Sequence, residues 1–277
     1  MNPHSQRATG LPAAAASLWT HARLLRDLTW REISGRYRGS WLGITWSILT
    51  PLMMLAVYTF VFSVVFGARW SAAAVPAGKF DFALFVFVGV LMHGILAEAI
   101  TRAPGLVLGN ANYVKKVIFP LELLPVTVVG AAAFHAAIAL GILLAGVLVL
   151  GGGLSWAVLW LPLLMLPLLV LSLGLAWGLA ALGVFLRDTA QVTGVLASVL
   201  MFLAPVFYPV SALPASVRGW LFLNPLTFVI EQARGAIFAG QAPDLALLAL
   251  FWGIALAVAQ AGFWFFQKSR SGFADVL

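Results

Sequence analysis

Few side chains here can do acid–base, ligand or nucleophile chemistry: nine acids, four histidines and no cysteine among 277 residues. Without cysteine there is no disulfide framework and no thiolate metal site. Glu98 stands deep in an apolar run with Arg102 four residues on, a spacing that stacks two side chains on one helix face. An intrahelical ion pair is expected there ahead of a proton relay. His93 and His135 also fall in apolar runs, where an ionisable group is a functional candidate by default; a neutral imidazole bonded to a nearby carbonyl is an equally good reading. Glu98 and Glu231 are too isolated to act as paired catalytic carboxylates. There is no His-Glu-x-x-His pair, no Gly-x-Ser-x-Gly elbow and no GxxxxGK[ST] phosphate loop, so no catalytic site, metal or cofactor is expected in this chain. If ATP drives its action, ATP and Mg bind to another polypeptide.

The elements that position these residues belong to a membrane. The chain is 62% hydrophobic and 9% charged, against roughly 25% charged in a soluble domain. A spanning helix needs about 20 mostly apolar residues, and such runs recur. The net charge of +7 fits cytoplasmic basic residues facing anionic lipid better than it fits nucleic acid. The N-terminus lacks the basic segment and apolar run of a signal peptide, so the first apolar run is expected to be a retained span.

The pattern predicts an all-α integral membrane protein with six transmembrane helices, at about 41–66, 82–100, 123–150, 157–186, 192–204 and 244–266. Residues 1–40 form an N-terminal segment and 267–277 a tail. Between Ser17 and Arg38 the residues Leu18, Ala22, Leu25, Leu28 and Ile33 share one face, with Asp27, Arg31 and Arg38 opposite. That predicts an amphipathic helix lying in the membrane interface, although Glu32 points toward its apolar face. Pro51 predicts a kink in the first span. The 102–120 loop is short, cationic and bounded by Pro104 and Pro120. Gly174 and Gly178 make a small-xxx-small helix contact site. Pro205, Pro209, Pro214 and Pro225 interrupt 205–240, a stretch too broken for one span and too apolar for an aqueous loop. Short re-entrant helices between spans five and six fit it, because lipid tolerates loose backbone only where protein shields it.

Lys and Arg number six in the N-terminal segment, three in the 102–120 loop, one at Arg187 and two in the tail. Arg69, Lys79, Arg218 and Arg234 make four on the other side. The excess predicts both termini in the cytoplasm. Most of the aromatics suit an interfacial belt and lipid-facing bulk. A sharper reading is that Trp46, Tyr58 and Phe62, with Phe207 and Tyr208 at the re-entrant turn, line a path whose ring faces stack on sugars.

Several ordered motifs are similar to a known family. Arg31-Glu32, Arg36-Tyr37-Arg38, Leu42-Gly43-Ile44-Thr45-Trp46 and Pro51-Leu52 come first. Then follow Asn112-Tyr113-Val114-Lys115-Lys116-Val117-Ile118-Phe119-Pro120 with Glu122-Leu123-Leu124-Pro125, and Arg187-Asp188. Pro205-Val206-Phe207-Tyr208-Pro209, Pro214, Asn224-Pro225-Leu226-Thr227, Glu231 and Arg234 precede a closing Phe273-Ala274-Asp275-Val276-Leu277. In this order, from about Leu28 to the end, they resemble the permease subunit of ABC-2 type polysaccharide exporters, which move O-antigen and related lipid-linked glycans. Leu121 stands where the family usually has Arg.

The resemblance implies a bacterial inner-membrane homodimer working with two copies of a separate ABC ATPase, and a lipid-linked polysaccharide substrate. It implies that the loop carrying Asn110, Asn112, Lys115 and Lys116 docks on the ATPase, helped by Arg31, Arg36 and Arg38 of the N-terminal helix. Pro205, Pro209, Asn224, Pro225, Glu231 and Arg234 would shape periplasmic gate helices, with Arg187 and Asp188 in the turn before span five. An ABC-2 permease for teichoic acid or a small lipid or drug is the nearest alternative. An intramembrane sugar-transfer enzyme would need a catalytic cluster, and a secondary transporter would need internal repeats and midplane charge pairs; neither pattern is apparent.

Overall fold

With no water to bond the backbone, an apolar chain in lipid closes its hydrogen bonds within helices. The computed structural model describes residues 8–61, 81–115, 119–150 and 153–277. Phe62, Arg69, Lys79 and Lys116 lie outside the described residues. The described residues carry helices and no strand: α1 Leu11–Thr20, α2 Ala22–Gly35, α3 Trp46–Tyr58, α4 Asp81–Arg102, α5 Leu106–Gly109, α6 Ala111–Lys115, α7 Leu123–Leu150, α8 Leu161–Phe185, α9 Thr189–Leu203, α10 Ala215–Leu221, α11 Pro225–Phe238, α12 Leu245–Ser269 and α13 Phe273–Val276.

Among the described residues, five helical stretches are long and apolar enough to cross a bilayer: Gly43–Val61, Phe82–Gly109, Leu123–Leu150, Trp156–Phe185 and Leu245–Val276. The expected fifth span is different. α9 is apolar but has only 15 residues, about 22 Å at 1.5 Å per residue, short of a hydrocarbon core of about 30 Å. α4 sits at the centre, packed against α7, α8, α9 and α11. α3 lies at the periphery with Ile48, Leu52, Met53, Met54, Val57 and Phe60 exposed.

The N-terminal amphipathic stretch is not one helix. It breaks at His21 (φ −105°, ψ 22°), whose Nδ1 lies 2.9 Å from the Ser17 carbonyl. α1 then packs on α12 and α2 on α7. Leu28 and Ile33 are buried as the pattern predicts. Thr29 fits against Gly130, where an added Cβ would stand 2.9 Å from the threonine methyl. The 102–120 loop is also more ordered than its polarity suggests. A 3-10 turn, Ala103–Gly105, and α5 bury Ala103, Pro104 and Val107 against α8.

The tightest helix pair is α8 with α12. A Cβ on Gly174 would fall 2.6 Å from the Ala259 backbone, and one on Gly262 would overlap the Gly174 carbonyl. Close packing of this kind supplies the attraction between helices that lipid does not. Gly262→Ala is expected to destabilise by about 2–3 kcal/mol, because the obstruction is backbone and cannot rotate away. Gly178→Ala, whose Cβ would stand 3.9 Å from the nearest atom, should be close to neutral. Thermal unfolding in detergent checks both; equal melting temperatures for the two variants would contradict the packing.

Candidate functional site

Three clusters gather most of the residues singled out above. The first lies where α2 meets α4 and α7. Arg36 Nη1 donates to Glu98 Oε1 at 2.8 Å and lies 3.1 Å from His135 Nδ1. His135 Nδ1 is also 3.1 Å from Glu98 Oε2, and its Nε2 is 3.0 Å from the Tyr37 hydroxyl. A proton on Nδ1 donates to the carboxylate; a bare Nδ1 accepts from the guanidinium; one nitrogen cannot do both. Burial pushes the Tyr37 phenol above its ordinary pKa, so it stays protonated and donates to a bare Nε2 or accepts from a protonated one. Arg102 pairs with Glu32 and stands 3.6 Å from Glu98. The predicted Glu98–Arg102 pair therefore forms, but Arg36 holds Glu98 more closely. Glu32 faces the apolar side of α2 because its cation comes from α4.

These polar groups close one end of a cavity of about 270 Å3. Its remaining wall is largely apolar, with Trp46, Met54, Phe87 and Leu91 among it. Tyr58, Phe207 and Tyr208 do not line this cavity. Tyr58 packs on the main core. Phe207 leans on Phe202, and the Tyr208 hydroxyl donates to the Phe202 carbonyl.

The second cluster is at the same end of the bundle. Arg31 donates to the Tyr113 hydroxyl at 3.0 Å, joining α2 to α6. Tyr113 stacks on Phe119 at 4.4 Å. Asn110 caps the α5–α6 junction by donating to the Leu106 carbonyl, while Asn112 and Arg38 are exposed. Lys115 ends α6. Arg36, by contrast, reaches Glu98 of α4 and His135 of α7. α1 and α13 also come to this end. Gln260 of α12 bonds the Leu11 amide and the Thr9 carbonyl, and α13 touches α6.

The third cluster surrounds the Pro-broken stretch. After α9 the chain runs through Pro205 and Pro209 into a 3-10 turn, Val210–Ala212, and then α10. Asn224 caps α11 by accepting from the Leu226 amide, and its Nδ2 donates to the Leu200 carbonyl. Pro225 begins α11, where its missing amide costs nothing. Arg234, 3% exposed, donates to the carbonyls of Phe85, Pro205 and Val206 and to Glu231. Its guanidinium also lies 4.5 Å from the Phe85 ring centroid. Gly89 lets α4 approach this turn, since a Cβ there would come within 2.9 Å of Val206 Cα. Arg187 and Asp188 form an exposed turn between α8 and α9. His93 takes the carbonyl-bonded form, its Nε2 2.9 Å from the Ala197 carbonyl.

A family model described as ABC-2 type transporter matches residues 23–238. The chain belongs to this family. That match contains all three clusters, from α2 through α11. This ABC-2 chain is similar to the O-antigen export system permease protein RfbA of Myxococcus xanthus, 28% identical over 260 residues that cover 93% of the chain and 96% of that protein. Two Klebsiella pneumoniae proteins of the same description are 24% and 23% identical, each over 92% of the chain and 95% of the relative. Helix length, apolarity and family together make it a multi-pass membrane protein.

Two residues in these regions escaped the sequence reading. Glu122, 2% exposed, appeared only as a motif letter. Its cation, Arg270, lies 148 residues away, a separation that leaves no local signal.

Proposed function

We propose that this chain is the permease subunit of an ATP-driven exporter that moves a lipid-linked, O-antigen-like polysaccharide across the bacterial inner membrane. The observation that carries the reading is the match along nearly the whole chain to three export permeases. The subunit works as a homodimer with two copies of a separate ATPase, which bind the ATP and Mg. The end of the bundle holding α1, α2, α6 and α13 is cytoplasmic, and so are both termini, in keeping with the Lys and Arg distribution. Six crossings are completed by α9 together with the extended turn after it. α10 and α11 re-enter from the periplasm as the gate, between an aromatic-lined channel at the dimer interface and the outside.

In this mechanism α5–α6 docks on the ATPase. Closure of the ATPase pair pushes that segment, and Arg31–Tyr113 passes part of the push to α2. The spans then tilt to open the channel. Aromatic faces suit this cargo because they hold sugar rings loosely, so the glycan can slide. Substituting Lys115 and Lys116 with Glu should reverse the charge of the docking segment. The expected result is ATP hydrolysis no longer stimulated by the permease and glycan export lost, with normal amounts of protein in the membrane. Unchanged export in reconstituted vesicles would refute the docking role.

A further inference from the structure

The C-terminal root of the α5–α6 segment is tied to the end of the last span through Arg270. Arg270 follows directly on α12 and is 11% exposed in its side chain. Its Nη1 donates to Glu122 Oε2 at 2.7 Å, and its Nη2 to the Phe119 carbonyl at 2.8 Å. Glu122 Oε1 accepts from Ser17 of α1 at 2.9 Å, and the Glu122 carbonyl accepts from Trp177 of α8 at 3.0 Å. Phe273 is wholly buried with its ring against Phe266 and Phe185, so the chain beyond Arg270 is anchored as well. A continuous physical path therefore runs from the Tyr113 ring on α6, through the stacked Phe119, to the guanidinium at the end of α12. α12 in turn is locked to α8 at Gly174 and Gly262.

We propose that Arg270 is a positioning residue for transport, transmitting movement of the α5–α6 segment into the α8–α12 pair. This rests on the reading that α5–α6 docks on the ATPase. The planar fork of Arg suits the task, because two separate nitrogens grip two separate acceptors. A Lys keeps the charge beside Glu122 but offers one nitrogen for both.

The test uses the full permease–ATPase complex in lipid vesicles, with ATP and vanadate as the trapping probe. Spin labels at Asn112 and Arg23 report α6 against α2; labels at Ser40 and Lys268 report the end of α12 against the entry to α3. All four positions are exposed. In the parent, trapping should shift both distances. Arg270→Gln should keep the α6 shift and lose more than half of the α12 shift, with export per ATP falling in step. Arg270→Lys should restore part of both. If Arg270→Gln accumulates poorly because Glu122 has lost the Arg270 guanidinium, Glu122→Gln with Arg270→Gln removes both charges and should show the same loss. A full α12 shift in the Gln variants overturns the inference alone. An α6 that stays still in the parent overturns the docking reading and the inference with it.

Discussion

Replacing Arg234 with Met is expected to lower the melting temperature of the detergent-solubilised protein by about 10 °C, corresponding to roughly 4 kcal/mol for a chain of this size. A guanidinium has five N–H donors. Here Nε serves the Phe85 carbonyl, Nη1 serves Pro205 and Glu231, and Nη2 serves Phe85 and Val206. The Pro205 and Val206 acceptors exist because α9 ends at Leu203 and the chain then runs irregularly past two prolines, leaving carbonyls without helical partners, while Phe85 lies in α4 and Glu231 in α11. Each buried acceptor left unpaired costs about 1–3 kcal/mol, and water cannot readily replace the guanidinium in an apolar bundle. Met fills similar volume, so packing loss is a minor part of the effect. Arg234→Lys should recover only a fraction, since one ammonium cannot reach acceptors on both sides of the turn. A melting temperature for Arg234→Met close to that of the parent would show that the turn is stabilised elsewhere.

The same residue shows what a sequence can and cannot disclose. An arginine among apolar residues, downstream of several prolines, marks a segment of unusual backbone; that much is composition. Which carbonyls it satisfies depends on how α4, α9 and α11 meet, and that is tertiary. The long helices α4, α7, α8 and α12 were legible because an uninterrupted apolar run in lipid has few alternatives to a helix. The end of α9 was legible as well, because Pro205 stands just past it, and the expected 192–204 stretch was already the shortest of the six. The break at His21 was hidden by residues on either side that keep a helical period. Glu32 looked like a flaw in an amphipathic pattern; it is half of an ion pair whose other half, Arg102, lies on another helix.

The candidate clusters follow the same rule. Local features such as the Asn224 cap, Pro225 at the start of α11 and the Gly174 contact face could be read from neighbours in the chain. Arg36 was grouped with the basic coupling residues because charge runs look alike in sequence, yet its carboxylate is Glu98, 62 residues away. Burial of Glu122 required knowing that Ser17 and Arg270 converge on it. Long-range polar pairs are set by packing, and packing has no sequence period.

The junction between α2 and the spans should depend most on Glu98. This carboxylate, 13% exposed in its side chain, receives Arg36 at 2.8 Å and His135 at 3.1 Å, with Arg102 at 3.6 Å. Glu98→Ala removes the common acceptor and leaves two guanidinium groups close together beside the imidazole. Arg36 is half-exposed and can turn to water, so the loss should be about 2–3 kcal/mol, below that of a fully buried broken pair. Arg102 keeps Glu32, so α2 should loosen at its Arg36 end while its middle stays attached. Removing both acids should therefore cost more than the sum of the two single changes, by roughly 1 kcal/mol, because Glu32 and Glu98 share Arg102 and each partly compensates for loss of the other. Melting of Glu32→Ala, Glu98→Ala and the double variant measures that coupling. Strict additivity would mean that Glu32 and Glu98 hold α2 independently, without compensating for each other through Arg102; unchanged melting in all three variants would mean that Leu28, Ile33 and the Thr29–Gly130 contact hold α2 alone.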